Sequence, residues 1–391
     1  MDLNGRLADA AARRVSVLVV TVPGWDTTRY AVERLVRQRG WREALSPADA
    51  DVLVVCGPPG PRLAGAVDLV WDQLPGPRAR VPAMAVSAAG AALDQAVTEL
   101  LDGDRQRRDA AERSTDPAMG TPPDEDPDDE GEDGDGDGDG DGDGDGEDTA
   151  AQDPGDMDHG DMDHGDMDMD MSPGGIPLAG GGGGDRDGLD LDVLHVPLGP
   201  VLPCWPAGLL LHCTLAGDVV TEARPEVLGP ADDVSREASP FGTPADRLDQ
   251  AAQLLTLAGW EAAATDAVRL RDDLLTEDDS TAVAPRLDRL ARRVRRSRLL
   301  RWSLRGAGRL DAGDCDELGL DRRTAGDVHD RLVTLLEDAL TALDGGSRPQ
   351  PVPVDVLTRL LPGRELGAVR LLVASLDLDT AARTPAGTGT R

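Results

Sequence analysis

The stretch "VSVLVVTVPGWDTTRYAVERLVRQRG" (15–40) decides the fold class of the N-terminal part of this chain. Its first eight residues (15–22) form a nearly continuous apolar run, which is typical of a buried β-strand. "PGWD" (23–26) has the residues of a turn, and the residues after it carry apolar side chains at helical spacing. A buried strand that leads through a turn into an amphipathic helix predicts the first half of a βαβ unit.

The same pattern follows twice more along the chain. "DVLVVC" (51–56) predicts a second strand and residues 61–74 a second helix, with the turn "GPPG" between them. A third strand is predicted at 81–87 and a third helix at 91–103. Strands that alternate with helices of this length favour right-handed βαβ units and a parallel sheet. We therefore predict an α/β, flavodoxin-like domain over residues 1–103.

Ligands of such domains bind at the carboxyl ends of the strands. In this sequence those ends lie near 23–26 and 56–60, and the candidate cofactor-binding residues are Gly24, Trp25, Cys56 and Gly57. Neither a dinucleotide-binding glycine motif nor a phosphate-binding loop is present, so the sequence gives little support to a nucleotide site. Cys56 is placed as a nucleophile would be, but the domain has no histidine, which favours a buried structural thiol.

Residues 104–188 have a composition that opposes folding. From 114 to 171 the chain has 25 Asp and Glu and no Arg or Lys, whereas the remainder has 49 acidic and 40 basic residues. High charge, abundant Gly and few large apolar residues predict a long disordered acidic linker. Its negative charge repels phosphate, so nucleic acid is excluded as a partner of this segment.

Part of this linker, "DMDHGDMDHGDMDMDM" (156–171), contains side chains that bind metals. Thioethers favour Cu(I), and imidazoles suit copper, zinc or nickel. A flexible chain loses entropy when it wraps an ion, so we expect modest affinity for copper or another divalent metal and favour a tether. Metal buffering is kept as an alternative. The candidate metal ligands are Met157, His159, Met162, His164, Met167, Met169 and Met171.

Residues 189–391 predict a mainly helical domain with a short β-hairpin. The hairpin is predicted at 208–228 with its turn at 216–218, and a strand-like piece precedes it at 189–199. Helices follow, and ten arginines lie between Arg286 and Arg309. This arginine run is read as a solvated helix face paired with neighbouring acids, or as a patch for nucleic acid or anionic lipid. The absence of interleaved aromatic residues favours the first reading.

The sequence predicts no membrane-spanning or secretory segment of its own. Residues 193–217 lack formal charge, but four prolines and two histidines among them oppose a membrane helix. The N-terminus has too short an apolar run for a secretory signal. The four cysteines are widely separated and form no CxxC pair, which opposes a disulfide framework and a zinc finger. We therefore expect a cytoplasmic protein.

One resemblance goes beyond these patterns. "SPADADVLVVCGPPGPRLAGAVDLVWDQLPGPRARVPAMA" (46–85) resembles the cluster-carrying small subunit of respiratory complex I, the NADH:quinone oxidoreductase. That family, which is shared with the small subunit of nickel–iron hydrogenases, has a strand, a Gly turn, a helix and a Tyr-Asp-Gln-Met-Pro-like segment. The segment 71–75, "WDQLP", resembles this last element.

The C-terminal region is similar to the partner of that subunit, the hydrogenase-large-subunit-like protein of the quinone site. "HVPLGPVLPCWPAGLLLHCTLAGDVVTEARPEVLG" (195–229) resembles the opening of that family, in which a Gly-Pro-rich segment leads into a hairpin. "RRVRRSRLLRWSLRGAGRLDAGDCDELGL" (292–320) resembles a later segment. The matches cover about half of the chain and imply two complex I-like subunits fused through the acidic linker.

The sequence departs from both families where their chemistry lies. The small subunit holds a 4Fe–4S cluster with an adjacent Cys pair after the first strand, where this chain has 23–26, "PGWD". Cys56 lies at a position that is not a ligand in that family. In the partner, the His-Pro…His-Gly loop near the quinone is replaced by Leu202, Pro203 and 206–208, and His195 and His212 do not restore it.

These departures imply that the iron–sulfur ligands are lost and that no cofactor is expected. The resemblance then implies a non-catalytic scaffold or regulator that binds a membrane-embedded, proton-translocating complex I-like subunit. Two alternatives remain open. One is an active oxidoreductase subunit with a quinone or another redox cofactor at the domain interface, and the other is the copper-buffering protein described above.

Overall fold

The computed structural model describes residues 15–114, 183–184, 190–191, 193–231, 243–276, 282–343, 345 and 350–380. The predicted copper ligands between Met157 and Met171 lie outside these described residues. The predictions of a disordered linker and of a metal site in that segment therefore stay predictions.

The N-terminal domain is built on a parallel sheet, as predicted, but the sheet has four strands where three were predicted. Its strands are β1 (Ser16–Thr21), β2 (Arg42–Glu43), β3 (Val52–Cys56) and β4 (Ala79–Ala83), in the order β2-β1-β3-β4. Three helices alternate with these strands along the chain: α1 (Asp26–Gln38), α2 (Pro61–Asp72) and α3 (Ala89–Leu101).

Burial explains why the sheet is parallel. All five residues of β3 are buried, because strands pack against it on both sides and helices cover it. A strand that is apolar on both faces suits this central position. The chain leaves β4 earlier than predicted: the apolar run 81–87 continues past Ala83, but Met84 and Val86 are exposed and a short 3₁₀ turn, Val86–Ala88, follows.

The N-terminal domain extends beyond the predicted boundary at residue 104, because helix α4 spans Gly103–Ser114. The sequence analysis assigned most of this helix to the linker. Arg78, which is 5% exposed, explains the difference. Its Nε donates to both carboxylate oxygens of Asp109 at 3.2 and 3.1 Å, and the Gln106 side chain donates to the Arg78 carbonyl at 2.9 Å. These polar contacts hold α4 to the sheet domain. The sequence of α4 has no apolar stripe from which such packing could be predicted.

The C-terminal domain has a second, antiparallel sheet. It consists of β7 (Val193–Leu198), β8 (Leu209–Ala216), β9 (Val219–Val227) and β10 (Arg364–Glu365), in the order β10-β9-β8-β7. The predicted hairpin is β8–β9, and Gly217 in its turn has a φ of +62° that suits glycine. A separate two-stranded pair consists of β5 (Gly183–Gly184) and β6 (Asp190–Leu191).

The rest of the described C-terminal domain is mainly helical, as predicted. Helix α5 packs against α6 and α10, and α10 packs against α7. Capping boxes begin α5, at Thr243 and Asp246, and α9, at Asp311 and Asp314. The helices are α5 (Pro244–Leu257), α6 (Glu261–Thr276), α7 (Ala284–Arg296), α8 (Arg298–Ser303), α9 (Ala312–Leu318), α10 (Val328–Leu343), α11 (Leu357–Leu360) and α12 (Leu366–Ser375).

The two domains share part of one hydrophobic core. Leu210 and Leu228 of the C-terminal domain belong to the same buried cluster as the strands of the N-terminal sheet. Backbone contacts join the domains beside them: the Gly60 amide donates to the Gly229 carbonyl at 3.1 Å, and Pro59 forms an antiparallel bridge with Pro230. The carboxyl edge of the parallel sheet therefore lies against the second domain.

No helix within the described residues has both the length and the apolar content needed to cross a membrane.

Candidate functional site

A cavity of about 530 Å³ lies between the two domains. The N-terminal domain contributes residues of β1, the start of α1 and residues 43–47. The C-terminal domain contributes the loop 200–207, parts of α5, α6 and α12, and the chain after α12. Cavities of this size at domain interfaces are common places for small ligands. The cavity is the candidate functional site.

Four charged side chains form the polar wall of this cavity, and we call them the ion cluster: Arg29, Glu33, Asp249 and Arg271. Arg29 and Glu33 lie one turn apart on α1, while Asp249 and Arg271 lie on α5 and α6. Arg29 donates from Nη2 to Asp249 Oδ2 at 2.6 Å and from Nη1 to Glu33 Oε1 at 2.8 Å. The cluster therefore joins the two domains directly.

Arg271 completes the cluster from the second domain. Its Nη1 lies 2.5 Å from Asp249 Oδ1 and 2.7 Å from Glu33 Oε2, so each arginine contacts both acids. The side chain of Arg271 is only 1% exposed, and that of Asp249 is 7% exposed. Two cations and two anions thus balance each other away from water, an arrangement that is stable only while every partner is in place.

Tyr30 lies close to both arginines of the cluster. The guanidinium carbons of Arg29 and Arg271 lie 4.7 and 4.5 Å from the ring centroid, within range of cation–π attraction. The Tyr30 hydroxyl donates to Asp246 Oδ1 at 3.0 Å, and Asp246 in turn caps the start of α5. Tyr30 therefore links the cluster to the helix cap of the other domain.

In the ion cluster, the attraction of the arginines outweighs the effect of burial on the pKa values of the acids. Burial alone would raise the pKa of Asp249, but Arg29 and Arg271 outweigh it and lower that pKa to about 2. Burial would likewise raise the pKa of Glu33, and the same two arginines lower it. Burial, together with Asp249 and Asp246, holds the pKa of Tyr30 well above its ordinary value. The acids of the cluster are therefore ionised at neutral pH, and Tyr30 is neutral.

The pKa of Asp26 is shifted in the opposite direction, upward. It opens α1, lines the cavity, and has a side chain that is 36% exposed. Burial raises its pKa to about 6, against the attraction of Arg29, and Asp246 and Asp249 add to the increase. A carboxyl group with this pKa can donate or accept a proton near neutral pH. Asp26 is therefore suited to bind a polar ligand atom in the cavity.

The four residues that the sequence analysis singled out have different positions. Gly24 lines the cavity, whereas Trp25 and Cys56 are buried in the core. A Cβ on Gly57 would lie 2.5 Å from the Trp25 ring, so that ring fills the space above the strand ends. Asp26 follows Trp25 directly but was not among the candidates. The rule that ligands bind at strand ends nevertheless pointed to its turn, 23–26.

The loop 200–207 forms one part of the cavity wall. Cys204 in this loop lines the cavity, and its φ of +53° is unusual for a residue with a side chain. Burial raises the pKa of its thiol to about 11, although Arg370 opposes this, so the thiolate is scarce at neutral pH. Cys204 therefore has the character of a wall residue and not of an activated nucleophile.

Among the described residues, the remaining cysteines and histidines do not line the cavity. Cys56 is buried in the core of the N-terminal domain, and Cys213 and Cys315 are buried in one core cluster of the C-terminal domain. His195 contacts the Thr214 hydroxyl across β7 and β8, and His212 Nε2 lies 3.5 Å from a carboxylate oxygen of Glu226. Within the described residues, none of these cysteines or histidines belongs to a group that brings three ligand atoms together.

One group in the described residues brings three possible metal-ligand atoms together: Asp327, His329 and Asp330, at the start of α10. The Asp327 amide donates to Asp330 at 3.1 Å, and the Asp330 amide donates back to Asp327 at the same distance. The Gly306 amide donates to Asp327 as well. These carboxylates serve as a helix cap, where the helix dipole favours anions, and this role explains why they lie together.

No protein-family model matches this chain, and a search of curated proteins found no match.

Proposed function

We propose that this chain is a non-catalytic subunit related to complex I, which acts as a scaffold or regulator of a membrane-embedded, proton-translocating partner. The proposal takes the kind of partner and a position on the cytoplasmic face of the membrane from the sequence resemblance. The observation that carries it is the ion cluster, through which the two domains become one unit.

The ion cluster supports a permanent union of the domains. If the domains separated, the contacts Arg29–Asp249 and Glu33–Arg271 would be broken, and within the cluster each arginine would keep only its acidic partner in its own domain. Each of the four charges would then lose one partner. Apolar contacts reinforce the ions, since Leu210 and Leu228 of the second domain lie in the core of the first. A unit held in this way can present a fixed surface to a partner.

The arrangement of thiols supports the non-catalytic part of the proposal. A usual 4Fe–4S cluster needs four cysteine thiolates at one site. The N-terminal domain has Cys56 alone, and this side chain is completely buried in a strand beside the Trp25 ring. Residues 23–26, which correspond to the adjacent cysteine pair of the resembling family, contain no ligand sulfur.

Co-purification tests the proposal. The full chain is co-expressed with complex I-type proton-translocating membrane subunits of the same organism, and the tagged chain is purified in detergent. We expect a stoichiometric complex with the wild-type chain and its loss with Asp249→Arg, which places a third cation in the cluster. Asp266→Arg, at an exposed ion pair with Arg293, is the matched control and should keep the complex. A wild-type chain that binds none of these subunits would contradict the proposal.

A second function is favoured by one specific observation, the cavity itself. It adjoins the loop 200–207, and Asp26 on its wall has a pKa near neutrality. These features support an active oxidoreductase subunit with a quinone or another redox cofactor at the domain interface. Equilibrium dialysis with a short-chain quinone tests it. Saturable binding that weakens at least fivefold in Asp26→Asn but not in Asp104→Asn supports this function. If the wild-type chain shows no saturable binding, quinones are excluded as ligands.

The copper-buffering hypothesis rests on the sequence 156–171 alone. Stoichiometric copper binding that disappears when these residues are deleted would support it.

A further inference from the structure

A continuous basic surface lies at the end of α7 and along α8. Residues 289–310 contain no acidic residue, and their nine arginines are all exposed: Arg289, Arg292, Arg293, Arg295, Arg296, Arg298, Arg301, Arg305 and Arg309. Among the described residues, those on α7 are partly neutralised, since Arg292, Arg293 and Arg295 pair with Asp288, Asp266 and Glu337. The positive charge is therefore strongest beyond the end of α7.

Four arginines at this end form no ion pair with any described residue: Arg296, Arg298, Arg301 and Arg305. Arg296 lies in the last turn of α7, Arg298 and Arg301 lie on α8, and Arg305 lies just beyond its end. Ser297 ends α7, and its side chain accepts a hydrogen bond from the Leu300 amide to begin α8. The four cations are thus arranged by two abutting helices with no loop between them.

Two large apolar side chains lie among these cations. Leu299 is 74% exposed and Trp302 is 73% exposed, and they are three residues apart on α8, on the same side of the helix. The opposite side of α8 is anchored, because Leu300 is buried in the C-terminal core and Leu304 follows it there. Packing therefore fixes α8 so that Leu299 and Trp302 face outward. We call Arg296, Arg298, Leu299, Arg301, Trp302 and Arg305 the basic–apolar patch.

We propose that the basic–apolar patch docks on the headgroup region of an anionic lipid bilayer. Arginines near such a surface are attracted by its negative potential. Tryptophan favours the boundary between headgroups and hydrocarbon, and an aliphatic side chain beside it gains by leaving water. The combination of unpaired cations with outward apolar residues fits this surface in both charge and polarity.

The composition of the patch distinguishes lipid from other polyanions. Nucleic acid would use stacking on several aromatic residues, but Trp302 is the single aromatic residue between 289 and 310. The acidic stretch 114–171 of this chain has the charge to pair with the arginines, but it offers little apolar surface to cover Leu299 and Trp302. Anionic lipid satisfies both parts of the patch, whereas neither of these two polyanions does.

The net charge of −34 does not prevent this docking at physiological salt. Charges in water are screened beyond about 8 Å at that ionic strength, so the lipid headgroups sense the nearby arginines more than the distant acids. Binding should therefore weaken as salt screens the arginines. The binding that persists at high salt should come from Leu299 and Trp302.

Vesicle binding of the full chain tests the proposal. The vesicles contain phosphatidylcholine with or without about one-third phosphatidylglycerol, and binding is measured by flotation and by tryptophan fluorescence. We expect binding to the anionic vesicles and at least tenfold weaker binding to the neutral ones. Arg298→Gln with Arg301→Gln and Arg305→Gln should weaken binding to anionic vesicles at least tenfold. Leu299→Ser with Trp302→Ser should remove the part that survives high salt.

Matched controls are available on other surfaces. Leu69→Ser changes an apolar side chain that is 67% exposed on α2, and Arg322→Gln changes an exposed arginine, so both should bind as the wild type does. Equal binding to both kinds of vesicle, or binding that ignores the patch variants, overturns the proposal. The chain has six tryptophans, so the Trp302 signal is taken as the difference in fluorescence between wild type and Trp302→Ser. If this signal responds to deletion of 115–171 and not to vesicles, the occupant is the acidic segment and the proposal is also overturned. The vesicles contain no protein, so the outcome is independent of the proposed membrane partner.

Discussion

Arg29 and Asp249 meet at 2.6 Å between Nη2 and Oδ2, although they are 220 residues apart and belong to different domains. A second hydrogen bond, from Nη1 to Oδ1 at 3.2 Å, makes the contact two-pronged. Bidentate arginine–carboxylate pairs are specific in geometry as well as strong. This pair fixes the orientation of α1 against α5 and forms one wall of the cavity between them.

Asp249→Asn should destabilise the whole described fold. The substitution leaves Arg271, which is 1% exposed, with one fewer anion, and it removes the bidentate partner of Arg29. We expect a loss of about 3–5 kcal/mol in the free energy of unfolding, measured in urea at pH 7. Asp266→Asn removes an exposed partner of Arg293 and should cost at most about 1 kcal/mol. Equal effects of the two substitutions would show that the ion cluster does not hold the domains together.

Asp26 should make the stability depend on pH with a defined sign. Its pKa rises from 3.8 to about 6 in the folded chain, so the folded state binds the proton more tightly than the unfolded state does. Its contribution to stability is therefore present at low pH and is lost as the pH rises from about 4 to 6. Asp26→Asn should remove this loss, so its stability relative to wild type should increase by about 1 kcal/mol between pH 3 and pH 7.

This figure is reduced from the full effect of the shift, because the Asp26 side chain is 36% exposed and solvent screens it. Unfolding in urea at several pH values gives the measurement. A variant whose stability relative to wild type is constant across this range would contradict the placement of Asp26 on a desolvated wall.

Gly57→Ala should be strongly destabilising. Gly57 has a φ of +91°, where a side chain is strained, and its Cβ would lie 2.5 Å from the Trp25 ring. We expect a loss of about 2–4 kcal/mol from strain and overpacking together, measured as a shift of the urea midpoint. Gly65→Ala, in helix α2 with open space around the new Cβ, should instead stabilise by about 0.5–1 kcal/mol. A tolerated Gly57→Ala would mean that Trp25 does not fill the strand ends.

Asp109→Asn should release helix α4 from the sheet domain. Asp109 accepts from the Nε and Nη2 atoms of Arg78, which is 5% exposed. Without the charge, the pairing of α4 weakens, and its amide protons should exchange about tenfold faster or more. Asp104→Asn, at an exposed pair with Arg107, is the control and should leave exchange in α4 nearly unchanged. Unchanged protection in Asp109→Asn would contradict the assignment of α4 to this domain.

The α/β class and the hairpin could be predicted because their patterns are local. Each buried strand of the N-terminal domain is a short apolar run, and β8–β9 is an alternating pair around Gly217. The end of β4 could not be predicted in the same way. The apolar run continues beyond Ala83, and only pairing with β3 decides where the strand stops.

The candidate site was much harder to predict. In the sequence, Arg29 and Glu33 look like an ordinary exposed pair on the polar face of an amphipathic helix. That face is buried because α5 and α6 bring Asp249 and Arg271 against it. Contacts between helices so far apart in the sequence cannot be predicted from a local pattern. The one available signal was the rule of ligands at strand ends, which pointed to the turn 23–26 and so to the neighbourhood of Asp26.

We propose that the chain is a scaffold without an iron–sulfur cluster, and the decisive measurement is iron analysis of the anaerobically purified full-length protein. We expect a colourless protein with far less than one iron per chain. About four irons per chain, with a broad absorption band near roughly 400 nm from thiolate-bound iron, would contradict it and restore the oxidoreductase function.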